Sequence, residues 1–171
     1  MNEWQKIERQ RRINIIENIS KATRLSSASI KKDWWITMVL RALFRCDCAG
    51  VMVFKGGTSL SKAWNLIERF SEDIDIAIDR VFFGFEGELK RKQINNLRRA
   101  FCSYIKDKLK DEIDTKLKEA GITNYSMFVE ETRDSTKDPQ IIEVHYQSLF
   151  DSNDYVSDKV MVEIGARSLM D

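Results

Sequence analysis

Two aspartates lie two positions apart in the run Asp73-Ile74-Asp75-Ile76-Ala77-Ile78. Strict alternation of polar and apolar residues is the pattern of a strand with two unlike faces. Residues i and i+2 share a face about 7 Å apart, so both carboxylates point one way and the isoleucines point into a core. Such a pair can hold one or two Mg²⁺ ions, which take hard oxygen ligands and bridge to substrate phosphates. An edge strand with an acidic polar face gives the same pattern, so the motif alone leaves both readings open.

A second feature precedes it. Gly56-Gly57-Thr58-Ser59 follows the apolar run Val51-Met52-Val53-Phe54. Paired glycines between a strand and a helix let a phosphate approach backbone N–H groups, and the helix dipole favours its charge. Thr58 or Ser59 can add a hydroxyl to a phosphate or cap the helix. The Walker spacing is absent, and a tight strand-to-helix turn is the plain alternative.

The elements that must position these residues follow from the same patterns. A first helix is predicted over Glu3–Lys21 and a second, capped by Ser29, to Arg45. Val51–Phe54 reads as a buried strand, Thr58 opens a helix to Ile67, and the aspartates occupy the next strand. Turn residues around Gly84 and Gly87 lead to a long basic helix, Leu89–Ala120, closed by Gly121. Strands are predicted at Tyr125–Glu131, Ile141–Tyr146 and Val160–Ile164, with Thr132–Pro139 as the polar turn between the first two. The order α-α-β-α-β-α-β-β-β gives an α+β fold with a mixed β-sheet flanked by helices and an N-terminal helical segment.

The 171 residues suit a single domain, 1–171, with N-terminal helices over 1–50 and a catalytic core over 51–171. Nothing approaches the roughly 18 apolar residues of a membrane span, and the start is too polar for an export signal. The expected place is therefore the cytoplasm, where Cys46, Cys48 and Cys102 stay reduced. Those cysteines and the single His145 lack zinc-site spacing. The formal charge of +1 is segregated: +5 over residues 1–50, −3 over 51–88, +5 over 89–120 and −6 over 121–171. A near-neutral total therefore does not exclude a polyanionic partner.

In combination, strand, Gly-Gly, helix and Asp-x-Asp resemble the nucleotidyltransferase fold of the DNA polymerase β superfamily. More narrowly, Val53-Phe54-Lys55-Gly56-Gly57-Thr58-Ser59-Leu60 with Arg69-Phe70-Ser71-Glu72-Asp73-Ile74-Asp75-Ile76 resembles the AbiEii/AbiGii family, nucleotidyltransferase toxins of abortive-infection and toxin–antitoxin systems. Two rivals fit less well. Haloacid-type phosphatases want Thr or Val where Ala77 stands, and sugar-nucleotide transferases place their motif after a βαβ run that is not evident before Asp73.

The resemblance implies a third carboxylate on a later strand. Glu163, in Val160-Met161-Val162-Glu163-Ile164, is favoured because Gly165-Ala166-Arg167 resembles the small-residue-and-Arg ending of the family's strand; Glu143 in Ile141-Ile142-Glu143-Val144 is the alternative. Lys55 resembles the family's lysine before the glycines and can contact a triphosphate or simply be solvated. Lys62 lies one turn into the next helix, within possible reach of the same phosphates or of solvent. Arg69 and Ser71 match the family's Arg-x-Ser, shaping the loop or the nucleotide pocket. Arg167 can touch a phosphate or pair with Glu163. Members of the family usually continue past the third-acid strand into a helical region, whereas this sequence stops at Asp171, so a core short for its family is expected.

The resemblance thus implies Mg²⁺, an NTP donor and transfer of its NMP to an acceptor, by analogy a tRNA 3′ end. Growth arrest or phage defence, opposed by a cognate antitoxin, is the implied outcome. Protein NMPylation is the other enzymatic reading, and nucleotide or RNA binding without turnover the non-enzymatic one. Ten basic side chains on the 89–120 helix, Arg98 and Arg99 among them, offer an RNA-contacting surface, although interspersed acids suit an ordinary solvated face equally well.

Overall fold

The computed structural model describes residues 3–68, 70–131, 134, 136–150 and 157–166. After a short 3₁₀ turn, Trp4–Lys6, helix α1 runs over Arg9–Thr23. Helix α2 covers Ser27–Leu43. Its cap is Ser26, whose side chain accepts the Ser29 N–H at 3.0 Å. The predicted cap, Ser29, lies inside the helix and is buried. Trp35, Ile36, Val39, Leu40 and Leu43 recur at helical spacing and form the buried stripe of α2.

Strand β1, Met52–Lys55, leads directly into helix α3, Gly56–Lys62. That helix is shorter than its predicted reach to Ile67. Asn65 adopts a left-handed backbone, and Trp64 and Leu66 beyond the break stay largely exposed. No apolar face is available there to reward a longer helix. Strand β2 is Asp73–Ile78, followed by a 3₁₀ turn over Arg80–Phe83.

The predicted long helix forms as α4 (Arg91–Tyr104), one π-helical stretch (Ile105–Leu109) and α5 (Lys110–Glu119). Its apolar series Leu97, Phe101, Ile105, Leu109, Ile113, Leu117 steps by four and is buried throughout. Each such step overshoots an α-helical turn by about 40°. The wider π turn offsets part of that drift and keeps the series on one face. Gly121, at φ 75°, closes the helix, with its N–H to Lys118 O at 2.8 Å and that of Ile122 to Leu117 O at 3.0 Å.

Strands β3 (Tyr125–Val129), β4 (Gln140–Tyr146) and β5 (Lys159–Gly165) complete a five-stranded sheet of order β1-β2-β5-β4-β3. Only β2 and β5 run parallel. One face, with Ile74, Ile76, Ile142, Val144, Val162 and Ile164, packs into a single core with α2, α4 and α5. The other face presents partly exposed Asp73, Asp75, Met161, Glu163, Glu143 and Lys159. Among the described residues no helix is long and apolar enough to cross a membrane.

Candidate active site

Asp75 is the centre of a row that crosses three strands. It stands opposite Lys55 of β1 on one side and opposite Glu163 of β5 on the other. Partners in register share a face, so the three polar side chains meet on the side of the sheet away from the core. Asp73, two residues earlier, occupies the adjoining row opposite Met161. The alternation of β2 places its isoleucines in the core at no cost to this arrangement.

Gly56 abuts this row. Its φ is +74°, and a Cβ built there would stand 1.9 Å from Asp75 Oδ2. Only glycine satisfies both the left-handed backbone and the close approach. The neighbouring hydroxyls are differently employed. Thr58 is fully buried, and its side chain lies 2.9 Å from the Ser71 hydroxyl and against the Asp73 carbonyl. Ser59 is also buried. Thr58 and Ser71 therefore tie the start of α3 to the start of β2, leaving Gly56 exposed and Gly57 half-buried in the turn.

Lys62 is directed to α2, where its Nζ pairs with Asp33 at 2.7 Å and donates to Thr37 at 3.1 Å. Glu143 lies on the open face opposite Met161. Its carboxylate accepts from Lys159 at 2.5 Å and sits 2.7 Å from His145 Nε2. These two contacts hold the Glu143 carboxyl below its ordinary range. Glu143 is thus an ion-paired strand residue, whereas Glu163 is the acid in register with Asp75. Arg69 and Arg167 lie outside the described residues.

Two lysines that sequence patterning did not single out are buried in α2. Lys32 is 2% exposed and pairs with Glu72 at 2.7 Å, the residue immediately before Asp73. Lys31 contacts Asp158 and donates to Ser148 at 3.1 Å. Their signal was their phase: both fall in the stripe one turn ahead of Trp35 and Ile36. Burial pushes the Asp73 carboxyl upward; the Lys32 cation opposes this, while the charges of Glu72 and Asp75 reinforce it.

Hard carboxylate oxygens at adjoining register positions suit Mg²⁺, which is bound through one or two carboxylates and otherwise keeps water or phosphate oxygens. Among the described residues no three acidic, His or Cys side chains converge into a preformed cage.

Comparison with curated proteins and with solved structures returned no match. Residues 39–171 match the family described as nucleotidyl transferase AbiEii toxin, type IV toxin–antitoxin system. The matched span contains β1, the glycine turn, both aspartates and Glu163. With more than half of its length so matched, the chain belongs to the AbiEii nucleotidyl transferase toxin family.

Proposed function

We propose that this protein is a Mg²⁺-dependent toxin that transfers an NMP from an NTP to the 3′ end of tRNA. The observation that carries the reading is the row Lys55–Asp75–Glu163 with Gly56 pressed against Asp75. It joins an acidic pair, a third acid and an open glycine backbone within one patch. Asp73, Asp75 and Glu163 would hold Mg²⁺, which would supply charge neutralisation to the triphosphate.

The chain's own groups supply the rest. Backbone N–H groups at Gly56 and Gly57 cradle phosphate oxygens, where a side chain would block the approach. Lys55, beside Asp75, offers a further cation to the triphosphate. The acceptor hydroxyl attacks the α-phosphorus, its proton passes to Glu163, and the bond to the bridging oxygen breaks to release pyrophosphate. Positioning and electrostatic stabilisation dominate in such chemistry. Thr58 and Ser71 act on geometry, by fixing the start of β2. A cognate antitoxin opposes the activity in the cell.

Labelled NTPs, Mg²⁺ and total RNA test this directly. Label entering tRNA with wild type and not with Asp75→Ala supports the reading. Label entering protein instead identifies an NMPylating enzyme, and no label in either leaves a nucleotide- or RNA-binding domain.

A further inference from the structure

A polar cavity of about 80 Å³ lies between α1, α2 and the segment that follows β4. Three cations line it: Arg9, Arg12 and Lys31. Among the described residues no carboxylate does. Arg9 donates to the Leu149 carbonyl at 2.9 Å, and Lys31 is neutralised from behind by Asp158. Arg12 Nε is buried and has no hydrogen-bond partner. That N–H is closed off even from water, so Arg12 meets the cavity through its other atoms. The volume holds several waters or one tetrahedral oxyanion. Planar guanidinium groups are matched to phosphate oxygens.

The cavity sits at the same end of the sheet as the candidate active site. Its lining includes Asn124, just before β3, and Gln147, just after β4. Asp73 opens β2 and Asp158 immediately precedes β5, so all four mark one end of the sheet. Strand β4 is two places from β2, a lateral distance of about 10 Å. Adjacent residues of α2 link the two places: Lys31 lines the cavity, and Lys32 pairs with Glu72 beside Asp73. Arg9, Asn124 and Gln147 form an exposed rim, so the cavity opens to solvent.

The geometry points to a phosphate-binding site for the backbone of the acceptor RNA, with Arg12 as its principal ligand and Arg9 at its mouth. This assignment rests on the RNA-acceptor reading above. The cavity lies on the helix side of the sheet and the acids on its open face, so the acceptor strand would pass round this end of the sheet to reach the reacting hydroxyl.

The test uses the full chain carrying Asp75→Asn, so that binding is measured without transfer. Labelled tRNA is titrated by fluorescence anisotropy across a salt series, and inorganic phosphate is titrated against thermal stability. Arg12→Gln is expected to weaken tRNA binding about 3- to 10-fold and to lower the salt slope by about one, with Arg12→Lys retaining most of the affinity. Arg9→Gln is expected to act in the same direction, which keeps the test intact should Arg12→Gln not fold. Unchanged tRNA affinity and salt slope in both Gln variants overturns the assignment. So does protection by inorganic phosphate that depends on Arg12 while tRNA affinity does not, because the site is then one for a free anion. Absence of transfer by wild type counts against the catalytic reading alone, since these binding results do not use it.

Discussion

Gly56 and Asp75 are closer than any other residue type at position 56 permits: a Cβ would stand 1.9 Å from Asp75 Oδ2. The backbone at Gly56 is also left-handed. Gly56→Ala should therefore displace either the turn or the carboxylate. We expect a loss of about 1–3 kcal/mol in stability, read by urea denaturation. Nucleotidyl transfer should fall by roughly 100-fold, the cost of a 1 Å misplacement.

Asp75→Asn and Glu163→Gln should separate activity from stability. Each removes an acid from a cluster of like charges on an open face. Transfer of label from NTP is expected to drop by about 10²-fold or more, while the melting temperature holds or rises. A parallel loss of folding would show these acids to be structural.

The buried ion pair under Asp73 should respond asymmetrically. Lys32 is 2% exposed and Glu72 is 44% exposed. Glu72→Gln strands a buried ammonium, and a loss near 3 kcal/mol is expected. Lys32→Met leaves a carboxylate that water can reach and should cost roughly 1 kcal/mol or less. Equal losses in chemical denaturation would contradict this account.

Acid sensitivity should trace in part to Glu143. Lys159 and His145 hold its folded pKa below the ordinary value. A lowered folded pKa contributes stability that is present above the unfolded value and is lost as pH falls through the folded one. Denaturation series stepping down from neutral pH to below the ordinary carboxylate range should show a shallower acid decline for Glu143→Gln than for wild type.

The architecture was legible because its periods are clean. The alternation at Asp73–Ile78 set both faces of β2, and the four-residue steps from Leu97 to Leu117 set the buried side of α4 and α5. The π turn was not legible, since Leu89–Ala120 is predicted as one continuous helix. The end of α3 was not legible, because Trp64, Leu66 and Ile67 continue an apolar pattern that no partner buries. At the site, Asp73 and Asp75 could be named from local pattern, whereas Glu163 was preferred to Glu143 only through the family resemblance of the residues after it. That Asp75 and Glu163 are neighbours depends on a parallel register joining distant segments, which no local pattern contains. Thr58 and Ser59 read on sequence as phosphate donors or as helix caps; tertiary packing buries both. Lys31 and Lys32 were obscured by their charge: lysine is rarely fully buried, and only their partners explain it.

The parallel pairing of β2 with β5 also has a bearing on how the protein is made. Helices α4 and α5 and strands β3 and β4 all intervene between the two strands, and β5 inserts between β2 and β4. Pairings of such long sequence separation form late and slowly. During synthesis the two aspartates emerge well before Glu163, and the chain cannot close its acidic row until β5 is threaded into the middle of the sheet. A partly folded chain that has not yet docked β5 therefore carries both aspartates without the register that sets Asp75 beside Glu163.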